Sequence, residues 1–195
     1  RLARQVGGAV VTALTLAEVA ELAGGTVSSV SDPTAIVIGP VVADSRRVTS
    51  GSLFVAVPGE HVDGHDYAER AVGAGAVAVL ASRPVGVPAV MVADTVLGLG
   101  RLAAGYLRRL SPAVVAVTGS SGKTSTKDLL AQVLARLGQT VAPEGSFNTE
   151  VGVPLTILRA DADTRLLVLE MSARGIGHIA YLCGIAPPQV AVVLN

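Results

Sequence analysis

The chain has 195 residues, 50% of them hydrophobic, enough to bury one large core or two small ones. Its 15 basic and 15 acidic side chains cancel, and with two Phe, three Tyr and no Trp it lacks both the cationic surface and the aromatic platform that nucleic-acid binding needs. One cysteine, Cys183, rules out an intrachain disulfide framework and fits a reducing, cytoplasmic setting.

Arg1 and Arg4 followed by uncharged Val6 to Ala17 have the outline of a secretory leader, but two glycines interrupt the run. Residues 1–12 are expected to be a tail or an added extension. Thr15 and Glu18 form a helix capping box, with Leu16, Val19, Ala20 and Ala23 on one face and Gly24-Gly25 as the stop. No stretch reaches the roughly 18 apolar residues that a spanning helix needs, so no membrane insertion is expected. Strand patterns follow at Thr26-Val27, Ala35 to Val42 and Leu53 to Val57, separated by turn signals at Asp32-Pro33 and Ser50-Gly51. Ala68, Ala71, Val72 and Gly75 mark a helix and Ala76 to Leu80 a buried strand. Val85 to Val92 repeats the strand signal, with Pro84 and Pro88 confining its early part to a loop or edge. An amphipathic helix over about Val96 to Leu110 ends at Ser111-Pro112, which sets the expected boundary between a small α/β domain, 13–111, and a second domain, 112–195.

The second domain opens on the most informative stretch of the chain. Val114 to Val117 form a β-branched run suited to a parallel sheet, and Thr118 to Gly122 supply small residues where backbone N–H groups must approach phosphate oxygens. Lys123 is placed to reach the β- and γ-phosphates, and the Thr124 hydroxyl to coordinate Mg²⁺. A phosphate-binding loop of the longest form carries a glycine where Val117 stands, so only the shorter G-x-x-G-K-T of Gly119 to Thr124 is present. A helix is predicted next, with Leu130, Val133, Leu134 and Leu137 on one face and Gly138 ending it. Strands at Thr140 to Ala142, Leu166 to Met171 and Val190 to Leu194 alternate with helical stretches, which implies right-handed crossovers and a parallel sheet. Glu170 closes the apolar run Leu166 to Leu169, where a phosphate-loop ATPase carries its Mg²⁺ carboxylate. A charged residue merely marking a strand end would look the same.

The short loop Thr118 to Ser125 resembles that of the Mur ligases, ATP-dependent enzymes of peptidoglycan precursor synthesis in which the glycine missing at Val117 is not expected. Asp44-Ser45-Arg46, Gly51 to Ala56, Pro58-Gly59, Asp63-Gly64-His65 and Gly75-Ala76 resemble the nucleotide-sugar-binding domain of the members that add the third residue and the terminal dipeptide. Asn148 to Thr156 and Glu170 to Ile179 are most similar to the member that joins D-alanyl-D-alanine to UDP-N-acetylmuramoyl-tripeptide. The resemblance therefore implies a small α/β N-terminal domain followed by a truncated P-loop parallel-sheet ATPase domain, with that nucleotide-sugar and dipeptide as partners and a monomer as the default state. It implies Lys123 as the catalytic residue, an ATP cradle of Thr118, Gly119, Ser120, Ser121, Gly122, Lys123, Thr124, Ser125 and Asn148, and Mg²⁺ on Thr124 and Glu170. Substrate contacts would come from Asp44, Ser45, Arg46, Asp63, Gly64, His65, Asn148, Thr149, Glu150 and Ser172. Asp44 to Arg46 fit a salt-bridged turn equally well, and a loop Asn such as Asn148 is often a turn former. His178 reads as a capping or packing residue, and His61 and His65 have no partner at zinc-ligand spacing. Members of the family have three domains, so by resemblance a sequence ending at Asn195 is expected to be either a fragment or the ordered part of a longer chain, without the downstream metal-binding His, the carbamylated Lys and the amine-binding domain. A tripeptide-forming ligase, a folylpolyglutamate-type ligase and a non-catalytic nucleotide-binding module remain alternatives.

Overall fold

The structure is a computed structural model describing residues 13–30, 32–59 and 62–195; the tail expected over 1–12 and His61 lie outside the described residues. The chain divides into two compact units, Arg1–Leu102 and Ala103–Asn195.

In the first unit β1 (Leu14–Thr15) runs into α1 (Leu16–Ala23) through the expected capping box: the Glu18 amide donates to Thr15 Oγ1 (3.2 Å) and the Thr15 amide to Glu18 Oε2 (2.9 Å). The side chains buried on α1 are Leu16, Val19, Ala20 and Ala23, and Gly24 in the left-handed conformation ends it. Then come β2 (Thr26–Ser28), β3 (Ile36–Val37), β4 (Val41–Val42), β5 (Leu53–Val55), α2 (Ala68–Gly73), β6 (Ala78–Ala81) and β7 (Ala89–Met91). The main sheet has the order β2-β7-β6-β5-β4, parallel from β4 to β7 with β2 antiparallel at the edge. Phe54, Ala56, Val79 and Ala81 pack against Ala68 and Ala71 to form its core. The single strand expected over Ala35 to Val42 is two strands in different sheets. Ile36–Val37 pairs antiparallel with Leu14–Thr15, whereas Val41–Val42 pairs parallel with Leu53–Phe54. The change of partner falls where the Ile38 and Gly39 amides both turn to the Gly51 carbonyl and Pro40 has no N–H to continue a ladder.

The helix α3 (Thr95–Leu110) carries the division between units, upstream of the break that Ser111-Pro112 marks in the sequence. Its apolar face is continuous, with Leu99 and Leu102 buried before the division and Tyr106 and Leu107 after it.

The second unit contains β8 (Ala113–Gly119), α4 (Lys123–Leu134), β9 (Thr140–Val141), α5 (Gly152–Ile157), β10 (Leu166–Glu170), α6 (His178–Ile185) and β11 (Val190–Leu194). Its strands are all parallel, in the order β11-β8-β10-β9. Successive strands leave β8 first on one side and then on the other, which opens a crevice at the carboxyl ends of β8 and β10. The face expected on α4 is corrected. The helix ends at Leu134, Val133 and Leu137 are 62% and 65% exposed, and Leu130 and Leu134 are only half-buried. α4 packs on β8 and β10 along the stripe Lys123, Lys127, Leu130 and Leu134, in which the fully buried residue is Lys127. Among the described residues no helix is long and apolar enough to cross a membrane.

Candidate functional site

β8 extends through Thr118 to Gly119 before the chain turns through Ser120, Ser121 and Gly122 into α4. The backbone needs glycine at both ends of this turn. Gly119 has φ +136° and lies so close to the Leu194 carbonyl of β11 that a Cβ would collide with it, and Gly122 has φ +76° at the N-cap of α4. The first turn of α4 therefore opens toward the loop, with amides and the positive end of the helix available to an anion. Lys123 folds back over the turn, its Nζ donating to the carbonyls of Gly119 (2.7 Å) and Ser120 (3.2 Å).

The strand order supplies the opposing carboxylate. Glu170 ends β10 beside Val117 of β8 and is 1% exposed. Thr124 Oγ1 donates to its Oε2 (2.9 Å), and Asn148 Nδ2 donates to its Oε1 (2.7 Å). A hydroxyl that gives its proton to Glu170 keeps its lone pairs for a second partner. These groups line one cavity of about 470 Å³ with Ser120 to Ser125, Ser146 and Ser172. The Ser172 amide donates to the Asn148 carbonyl (2.9 Å), tying the loop after β10 to the loop before α5. The donors are hard oxygens of hydroxyl and carboxylate type, which suits Mg²⁺ and not a soft metal. Among the described residues no three His, Cys, Asp or Glu side chains converge to hold a metal by themselves.

Of the residues assigned to this site from the sequence, Ser120 to Ser125, Asn148, Glu170 and Ser172 are brought together. Thr118 and Gly119 are the last residues of β8 behind the loop. Thr149 and Glu150 are not on the cavity lining; Thr149 Oγ1 accepts from the Gly152 amide (3.3 Å) at the start of α5. His178 Nδ1 accepts from the Arg174 amide (3.2 Å) at the head of α6. Ser146 was missed, because nothing in a Pro-Glu-Gly-Ser stretch distinguishes a lining serine from a turn.

The first unit carries a separate cavity of about 430 Å³, walled by Asp44 to Arg46, Phe54, Tyr67 and Arg70 among others. Asp44 caps a 3₁₀ turn, Ser45–Arg47, and its Oδ2 is bonded to Arg46 Nη2 at 2.7 Å. The Arg46 side-chain and backbone donors hold the Asp44 carboxyl down at about 2. The salt-bridged turn and the cavity wall are thus the same residues. Gly64 also lines this cavity, whereas Asp63 and His65 are not on its lining. His65 is 4% exposed; its Nε2 accepts the Ser82 amide (2.9 Å) and its Nδ1 lies 2.6 Å from Asp63 Oδ1. An amide can only donate, so Nε2 is unprotonated and Nδ1 gives its hydrogen to Asp63. Asp63, held at about 2 first by the His65 amide and then by its ring, also accepts from Arg83 (3.2 Å). The pair fixes the 3₁₀ turn Gly64–Tyr67 and so places Tyr67 on the wall.

Two family models match the chain. Residues 38–104 match a model described as Mur ligase family, catalytic domain, and residues 117–195 match the Mur ligase middle domain. A UDP-N-acetylmuramoyl-tripeptide--D-alanyl-D-alanine ligase of Mycobacterium tuberculosis is 50% identical over 93% of this chain and 41% of its own length. Among solved structures, MurF from Acinetobacter baumannii superposes with a TM-score of 0.87 at 32% identity, over 95% of this chain and 41% of that one. A Thermotoga maritima MurF ligase in complex with ADP gives a TM-score of 0.72 at 44% identity, over 80% of this chain and 37% of that one. The chain thus spans about 41% of the length of these curated relatives. With an N-terminal and a middle domain each matched in sequence and both reproduced in structure, the chain belongs to the Mur ligase family.

Proposed function

We propose that this chain supplies the nucleotide-sugar-binding and ATP-binding parts of a ligase that joins D-alanyl-D-alanine to UDP-N-acetylmuramoyl-tripeptide in peptidoglycan precursor synthesis. The observation that carries the reading is the contact of Thr124 and Asn148 with the two oxygens of buried Glu170 beside an open phosphate loop. The relatives' names supply the substrates. In the reaction, the γ-phosphoryl group of ATP passes to the terminal carboxylate of the tripeptide, the dipeptide amine adds to that acyl phosphate, and inorganic phosphate leaves as the C–N bond forms and the amine loses a proton.

The chain's own residues deal with the main obstacle, which is the crowding of negative oxygens. Loop amides and the start of α4 face the phosphates, and Lys123 has only to swing from the Gly119 and Ser120 carbonyls to reach them. Thr124 and Glu170 would hold Mg²⁺, which supplies the divalent charge that screens the transferring group. Asp44, Ser45, Arg46, Tyr67 and Arg70 surround the cavity we assign to the nucleotide-sugar, with two guanidinium groups for its anionic end. Such a protein works where ATP and nucleotide-sugars are held, in the cytoplasm.

Because the chain spans about 41% of its relatives, ligation is assigned to a longer protein, and the chain alone is expected to bind both nucleotides without turnover. Calorimetry with UDP-N-acetylmuramoyl-tripeptide and with Mg-ATP, beside phosphate release on adding D-alanyl-D-alanine, tests this. Failure to bind either nucleotide removes the reading, and ligation by the chain alone removes its last clause. A preference for the dipeptide form of the nucleotide-sugar points instead to a tripeptide-forming ligase.

A further inference from the structure

The chain has two lysines, Lys123 and Lys127, one helical turn apart on the same face of α4. Lys127 plays no part in the site as described, yet it is 1% exposed. Its Nζ donates to Asp128 Oδ1 (2.5 Å) and to the Pro143 carbonyl (3.0 Å). The Asp128 side chain is 58% exposed, so water can serve that carboxylate if the lysine is lost. Pro143 is buried, and Lys127 is the donor that its carbonyl has. Burying an ammonium is costly, and a partner carboxylate that stays in water returns little of that cost. Fold stability is therefore a poor reason for a lysine here.

The segment that Lys127 holds has a clearer connection. From Pro143 the chain runs without regular structure through exposed Glu144 to Phe147 and delivers Ser146 and Asn148 to the cavity, where Asn148 Nδ2 lies 2.7 Å from Glu170. Arg159 reaches the outer side of the segment through exposed contacts at Ala142 (3.1 Å) and Glu144 (3.3 Å). Lys127 grips it from the inside, from the same helix that begins at Lys123 and Thr124.

We propose that Lys127 is a positioning residue of the nucleotide site: its ammonium pins the Pro143 carbonyl to α4, so that the 143–148 segment presents Asn148 to Glu170 in register with Thr124. The proposal rests on the assignment of this cavity to a nucleoside triphosphate with a divalent cation, and the experiment separates the two. Mg-ATP binding is measured by calorimetry on wild type, Lys127→Met, Lys127→Arg, Asn148→Ala, the Lys127→Met/Asn148→Ala double variant and Lys123→Ala, with thermal unfolding of each.

Lys127→Met is expected to weaken Mg-ATP binding about tenfold with an unfolding midpoint near that of wild type, because relief of the buried ammonium offsets the donor lost to the Pro143 carbonyl, and Lys127→Arg, which keeps a donor for the carbonyl, to recover most of the loss. Asn148→Ala should weaken binding by a similar factor, and the double variant no further, because the lysine acts through the asparagine. Losses that multiply in the double variant, or Lys127→Met binding like wild type while Lys123→Ala does not, overturn the positioning role alone. So does a Lys127→Met chain that no longer unfolds cooperatively together with an Arg variant that does not recover binding. Lys123→Ala binding as tightly as wild type overturns the site assignment, and the positioning role with it.

Discussion

Glu170→Gln keeps the size and shape of a side chain that is 1% exposed and removes its charge. Both carboxylate oxygens accept, from Thr124 Oγ1 at 2.9 Å and from Asn148 Nδ2 at 2.7 Å. A glutamine offers one acceptor and one donor, but the Thr124 hydroxyl can rotate to accept, so every buried group keeps a partner. Exchanging two hydrogen bonds to a charged group, worth about 1.5–3 kcal/mol each, for neutral ones of about 0.5–1.5 kcal/mol loses roughly 2–3 kcal/mol. Removing a desolvated carboxylate returns several kcal/mol, so the unfolding midpoint is expected near that of wild type or above it. Cation binding moves the other way. A unit charge about 4 Å from a divalent ion contributes about 8 kcal/mol at an effective dielectric of about 20, and if a quarter of that survives desolvation the Mg²⁺ half-saturation concentration rises about 30-fold. Thermal unfolding beside Mg-ATP calorimetry over a Mg²⁺ series measures both. An early melt with an unchanged Mg²⁺ requirement would make Glu170 a structural strand end and refute the metal role.

Lys123→Ala should lower Mg-ATP affinity, and turnover in a longer ligase, by roughly two orders of magnitude with little change in unfolding, since its ammonium bonds only loop carbonyls; calorimetry and circular dichroism check this. His65→Phe leaves the Ser82 amide without its acceptor and Asp63 without the imidazole, and should cost the first unit about 2–3 kcal/mol, or roughly 10–20 °C in midpoint, with weaker UDP-sugar binding because Tyr67 is released. Asp44 and Asp63 are both held at about 2 in the folded chain, below their unfolded values, so their stabilising contribution is complete above about pH 4 and is lost as pH falls from there toward 2. Acid titration of the unfolding midpoint should show that loss, smaller for Asp44 in Arg46→Met, and a midpoint flat from pH 5 to 2 contradicts it.

The second unit's strands were legible because strands of a parallel sheet carry unbroken apolar runs: β8, β10 and β11 fall close to where Val114, Leu166 and Val190 begin such runs. The capping box of α1 was legible for a similar reason, being local chemistry within four residues. Periodicity cannot register a change of partner, which is why Ala35 to Val42 reads as one strand and is two. On α4, counting apolar side chains selected Val133 and Leu137 over Lys127, because a lysine scores as surface by composition while its place at i−3 from Leu130 and i−7 from Leu134 puts it on the buried stripe. That offset was the available signal. Around the first cavity, the adjacent letters Asp63-Gly64-His65 do not show that the 3₁₀ turn sends Gly64 to the cavity wall and the His65 ring into the interior.

Glu170 and Thr124 show how far sequence alone can carry a site. Each could be nominated from its neighbours, one as a carboxylate closing an apolar strand and the other as the hydroxyl after Gly-Lys, but nothing local relates residues 46 positions apart. Their contact depends on β10 lying next to β8, with Glu170 level with Val117, whereas β9, which precedes β10 in the chain, lies beyond it at the sheet edge. Had β9 taken the place beside β8, the same residues would form the same loop and the same strand end, separated by the width of a strand. The crossover that skips a position is thus what brings the Glu170 carboxylate to the Thr124 hydroxyl beside the loop. A substitution that disturbs the β8–β10 pairing, such as a proline at Val168, should abolish Mg²⁺-dependent nucleotide binding without touching any residue of the loop.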